Sequence, residues 1–289
     1  MLRASMLHWF RERRRRKLLA LPFPDEWEAA IRRNVAHDRW LLAEERRHLR
    51  NLVRVFVDEK HWEGCGGLKL TDEIRVTIAA QACLLILELP HDYYRNVHSI
   101  LVYPSTVVVP ARRPGAFEIP TRPVEAALPV LGEAQFRGPV ILVWDAVRRT
   151  GRHPESGHNV VYHEFAHKLD MLDGRADGTP PLHDRTEYQT WTRVCSREYL
   201  LLREQAKKGR RTLLDAYGAT NEAEFFAVAT EEFFDQPVAL RGQHPELYGL
   251  LQAFYLQNPA VRVEDQSDRA GRSSSARAGK IDTQNAEQG

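Results

Sequence analysis

Two histidines four residues apart, His163 and His167, with Glu164 beside the first, lie in the stretch VVYHEFAHKLDMLDG, Val160 to Gly174. On an α-helix, residues i and i+4 sit one turn apart on one face, so the two imidazoles can be aimed at a common point. The stretch has the marks of such a helix: Asn159 as N-cap, apolar residues at 160, 161, 165, 166, 169 and 172, and Gly174 as a stop. Its apolar residues demand a core to receive them. Chance seldom sets two of twelve histidines around a glutamate on a helix so well specified.

The pattern is HExxH. Two imidazoles supply half of a tetrahedral zinc site, and the carboxylate of Glu164 can take a proton from a metal-activated water without itself ligating. Zinc lowers the pKa of its water to about 7, which makes hydroxide accessible at neutral pH.

A catalytic zinc needs a third protein ligand and an open position. One candidate is local: Asp173 lies six residues after His167, but Asp170 stands where the sharp turn of a metzincin requires glycine, and Gly174 comes too late. The other is Glu224, in DAYGATNEAEFFAVATEEFFDQP, near the start of a helix that Asn221 can cap. Asn221 with Glu224 three residues later is also close to a capping box, a purely stabilising device, and the residues alone leave these two readings level.

A chain of 289 residues can bury a core of the size the histidine helix needs. With 43% hydrophobic and 28% charged residues and a net charge of +2, composition selects no class of partner. Cys65, Cys83 and Cys195 are odd in number and form no CxxC pair, which argues against a disulfide framework or a cysteine zinc cluster and for a reducing cytoplasm. Cys65, in EGCGG, is expected to be a structural loop residue. In the basic segment 1–20 the arginines are followed by an apolar run, Leu18 to Leu21, too short for a signal-peptide core, and no run approaches a membrane span. Its arginines, in RERRRRK, are expected to form a solvated face or frayed end.

Helical spacing recurs from Asp25 to about Glu59, and Thr71 is placed to cap a largely apolar helix ending before Pro90. Between His98 and Asp145, SILVYPSTVVVP and PVILVWDAV are β-branched and cut by prolines, so short strands are expected there. Helices return at Val160 to about Leu172, about Arg185 to Lys208, Glu222 to about Asp235, and from near Pro245 to before Pro259. The expected fold is α+β, mostly helical with a small mixed sheet, occupying residues 21–262. The segment 263–289 has almost no apolar residues and is expected to be disordered.

From about Phe23 to Pro259 the chain, with EGCGGL, VTIAAQACLL, SILVYPS, VVYHEFAHKLDMLDG and TNEAEFFAVATEEFF, resembles the Mlc titration factor A family of bacterial zinc peptidases. YGATNEAEFFA is similar to the segment after the HExxH helix in the catalytic domain of anthrax lethal factor. The resemblance implies a zincin-like fold with one zinc in a gluzincin-type site: His163, His167 and Glu224 as ligands, Glu164 as general base, and Tyr217 as oxyanion stabiliser. It implies hydrolysis of peptides, with aminopeptidase-type preference, and binding of an Mlc-like transcriptional repressor. The alternative is a regulatory binding module that sequesters a repressor and carries a latent zinc site. Direct nucleic-acid binding through RERRRRK is not expected. One position departs from the lethal factor pattern: four residues after Glu224 stands Val228, not glutamate, so support for the ligands must come from elsewhere, with Asp170, Asp173 and Glu231 as candidates.

Overall fold

In the computed structural model, residues 2–105, 138–266 and 268 are described. The proline-rich part of the expected strand region, 106–137, and nearly all of the expected disordered tail lie outside the described residues. Residues 259–266 are helical, so the helical body runs past the expected start of that tail.

Helices α1 (Leu2–Leu19), α2 (Asp25–Asn34) and α3 (Ala43–Glu59) precede strand β1 (His61–Gly64) and helix α4 (Asp72–Leu85). Strands β2 (Ser99–Tyr103) and β3 (Val140–Val143) follow, then α5 (Trp144–Arg152), α6 (Val160–Asp170), α7 (Arg185–Lys207), α8 (Glu222–Asp235), α9 (Pro237–Gln243) and α10 (Pro245–Tyr255). The fold is α+β and mostly helical.

The expected mixed sheet is parallel throughout its described strands, in the order β1-β2-β3. The reason lies in the connections: α4 intervenes between β1 and β2 and a long segment between β2 and β3, and only such crossovers allow parallel neighbours. Register sets Ile100 against Val140 and Val102 against Leu142, and all four are buried on one face.

Helix α4 begins where Thr71 accepts the Ile74 amide and is buried from Ile74 through Leu85 almost without interruption. It ends earlier than its apolar sequence suggests, because residues after Leu85 continue as tight turns rather than as helix. Helix α6 packs against α4, α8 and β3. Tyr162, Phe165, Ala166 and Leu169 on it are fully buried; Phe165 stacks edge-on to Tyr94 at 4.8 Å, and Tyr162 lies 5.4 Å from Phe234 of α8. Burying such side chains stabilises by about 1.5–3 kcal/mol each, which fixes the rotation of α6 about its axis.

The arginine-rich segment is the C-terminal half of α1, and it docks on α3. Arg15 makes a two-pronged pair with Glu59 at 2.6 and 2.7 Å, and Arg14 reaches Asp58 at 2.8 Å.

Candidate metal centre

Helix α6 starts at Asn159, whose side-chain oxygen accepts the amides of Val161 and Tyr162, both at 3.1 Å. That cap sets the phase of the helix, and with Phe165 and Tyr162 turned into the core, His163 and His167 emerge together on the remaining face. Helix α8 starts in the same way, with Asn221 accepting the Glu224 amide at 2.9 Å. Only half of a capping box forms, because the Glu224 side chain turns away from the Asn221 backbone and toward α6.

The outcome is a triangle of ligand-type atoms. His163 Nε2 lies 3.0 Å and His167 Nε2 3.3 Å from Glu224 Oε2, and the two imidazole nitrogens are 3.2 Å apart. Ligands about 2.05 Å from a tetrahedral zinc stand about 3.3 Å from one another, close to the sides of this triangle. Glu224 Oε2 is buried yet accepts no well-aligned hydrogen bond, an orphan that a cation would satisfy. These three residues are therefore a group that could hold a metal ion. Asp173 is not part of it: it is exposed, and its carboxylate accepts the Arg175 amide at 2.9 Å.

Of the three acidic residues expected to support the histidines, Glu231 touches one. It accepts the Nδ1 proton of His163 at 2.7 Å and the Asn159 amide at 2.6 Å. Protonation at Nδ1 leaves the Nε2 lone pair free to ligate. Seven residues separate Glu224 from Glu231, two helical turns, so both carboxylates face α6; that spacing was the available signal. Burial works to lower the His163 pKa, but Glu224 and Glu231 outweigh it and lift it to about 10, so a cation binding here displaces a proton.

A further cation joins this arrangement. His158 Nε2 lies 3.2 Å from Asp215 Oδ2, and its Nδ1 lies 3.8 Å from Glu231 Oε2. These two carboxylates, Asp215 first, raise the His158 pKa to about 10, and it stays charged at neutral pH. Asp215 in turn accepts the Tyr217 amide at 2.7 Å and so caps the tight turn Ala216–Ala219. Neither His158 nor Asp215 has a local sequence signal, since 57 residues separate them.

Tyr217 is half exposed, with its ring 5.9 Å from that of His163. Partial burial and then the charge of Glu224 push its pKa up to about 12, so its hydroxyl remains a donor. The turn that carries it rests on Val228: a Cβ on Gly218 would lie 3.2 Å from Val228 Cβ. The position that departs from the lethal factor pattern thus packs against Gly218, the residue after Tyr217. Glu164, next to His163 on α6, is partly exposed beside the triangle, and its charge is felt by both His163 and Tyr217.

One glycine ties the two ligand helices together. Gly178 donates its amide to Asp170 Oδ2 at 3.0 Å, and a Cβ there would lie 2.3 Å from the carbonyl oxygen of Glu222, at the start of α8. Its φ is +74°, a conformation glycine adopts at little cost. Burial pushes the Asp170 pKa up to about 7, against the hydrogen bond from Gly178.

Comparison with known proteins points the same way as this geometry. The model of the glucose-regulated metallo-peptidase M90 family matches residues 9–256. An uncharacterized protein of Synechocystis is 37% identical over 256 residues, covering 88% of this chain and 91% of the relative. Proteins called Mlc titration factor A from Escherichia fergusonii and Klebsiella pneumoniae are each 32% identical, over 244 and 249 residues, covering 83% of this chain and 88% of each relative.

Proposed function

This chain belongs to the glucose-regulated metallo-peptidase M90 family, and from that premise we propose that it is a zinc-dependent peptidase of aminopeptidase type, with a zincin-like domain over 21–262. The carrying observation is the triangle of His163, His167 and Glu224, whose sides of 3.0, 3.2 and 3.3 Å fit a tetrahedral zinc with one open position.

Bound zinc supplies positive charge that polarises a scissile carbonyl and acidifies water. Glu164 takes the proton of the attacking water and delivers it to the leaving amine. Tyr217, protonated across the neutral range, donates its hydroxyl to the carbonyl oxygen as negative charge develops there. Glu231 holds His163 in the tautomer that ligates, and His158 with Asp215 holds the Tyr217 turn against that carboxylate.

The name of the relatives, Mlc titration factor A, supports a second role on this chain: binding of an Mlc-like transcriptional repressor. No described helix is long and apolar enough to cross a membrane, and the proposed setting is the cytoplasm.

Metal analysis and a peptide-library digest of the wild type and Glu164→Gln test the reading together. The expected result is one zinc per chain in both proteins, with cleavage lost by a factor of about 10² or more in the variant. Equal cleavage by the zinc-loaded variant would sink the mechanism. Repressor binding retained by Glu164→Gln would place that role on a separate surface.

A further inference from the structure

Helix α1 docks through one side and leaves the other in solvent. Arg15, paired with Glu59, is buried, while Trp9, Phe10, Arg13, Arg16 and Lys17 are all exposed. At 3.6 residues per turn these five fall within about a third of the helix circumference, opposite Arg15. Two large aromatic rings and three cations thus share one outward face. Among the described residues, Arg13, Arg16 and Lys17 form no ion pair, whereas the neighbouring Arg14 and Arg15 both do.

Trp9 and Phe10 are 49% and 56% exposed and lie edge to face, 5.0 Å apart, as a single apolar knob. The Arg13 guanidinium sits 5.4 Å from the centre of the Trp9 ring, so part of that ring is occupied and poorly placed to stack on a nucleic-acid base. A flanked aromatic knob ringed by cations suits the boundary between anionic headgroups and acyl chains, where indole rings settle and Lys and Arg meet phosphate. The whole chain carries a net charge of only +2, so the attraction proposed here rests on the local cations of α1 and not on overall charge.

We propose that the outward face of α1 is a peripheral anchor for an anionic phospholipid surface, with Trp9 and Phe10 seated at the headgroup level and Arg13, Arg16 and Lys17 on lipid phosphates. The anchor is separate from the candidate metal centre, which is built on α6 and α8, and it does not depend on the peptidase reading.

Sedimentation of the full-length protein with vesicles tests it, using phosphatidylcholine alone against phosphatidylcholine mixed equally with phosphatidylglycerol. The protein is expected to pellet with the mixed vesicles and to bind neutral ones about a hundredfold more weakly at low salt. Arg13→Glu/Arg16→Glu/Lys17→Glu should abolish binding, and Trp9→Ala/Phe10→Ala should weaken it about tenfold, both with unchanged melting curves. Should either variant unfold, the wild type still decides the matter: its binding must fall as salt is raised. No binding to the mixed vesicles, equal binding to both kinds, or salt-independent binding overturns the proposal. So does competition by duplex DNA that leaves the Trp9→Ala/Phe10→Ala variant unimpaired, which would assign the cations to nucleic acid.

Discussion

Glu231 Oε1 accepts the Nδ1 proton of His163 at 2.7 Å while its other oxygen accepts the Asn159 amide at 2.6 Å, so one carboxylate orients an imidazole and anchors the start of the helix that carries it. Replacing it by glutamine keeps the size but removes the charge. Glu231→Gln is expected to weaken zinc affinity by about 10- to 100-fold, read by competition with a chromogenic chelator.

Removing the carboxylate corner of the triangle should cost far more. Glu224→Ala is expected to lose bound metal on dialysis and to lose any rise in melting temperature on adding zinc, since a ligand stabilises only the state it binds. Undiminished zinc affinity in this variant would overturn Glu224 as the third ligand.

Gly178→Ala probes how the two ligand helices are held together. The new methyl would meet the Glu222 carbonyl at 2.3 Å and sit at a φ of +74°, so the start of α8 must shift. A loss of about 1–3 kcal/mol in stability is expected from the backbone alone. Metal affinity should fall with it, because Glu224 lies two residues beyond the contact. A variant that melts earlier but holds zinc as tightly as the wild type would separate the two effects and contradict the link.

Much of this was legible from single residues. Asn159, Asn221 and Thr71 each cap the helix expected of them, and the HExxH spacing put both histidines on one face. Capping chemistry and helical period are local, so sequence displays them. Whether Glu224 would close a capping box or turn toward α6 was not local, because it depends on how α8 packs. The same holds for His158 and Asp215, brought together across 57 residues, and for the parallel order of the strands, which the connections decide. Glu231 stood among three candidates, and its place two turns after Glu224 is what singles it out in the folded chain.

Glu232, beside Glu231, is buried, and burial first, then the charge of Glu231, pushes its pKa from 4.5 up to about 8. The folded chain therefore holds a proton on it that the unfolded chain releases above pH 4.5. Its contribution to stability is present in full below 4.5 and is lost as pH rises toward 8. Glu232→Gln should remove this dependence, melting like the wild type near pH 4.5 and higher than it near pH 8. Denaturant titrations at the two pH values would show the difference, of the order of a few kcal/mol.

The carboxylate corner of the triangle lies 57 residues after His167 in the chain. At synthesis rates of about 5–20 residues per second, both imidazoles leave the ribosome roughly 3 to 11 seconds before Glu224 does. Throughout that interval the nascent chain has a histidine pair but no closed triangle, and α8, which also supplies the partner of His163, has yet to be made. A candidate metal centre divided in this way cannot close until the C-terminal half of its own chain has been translated and packed.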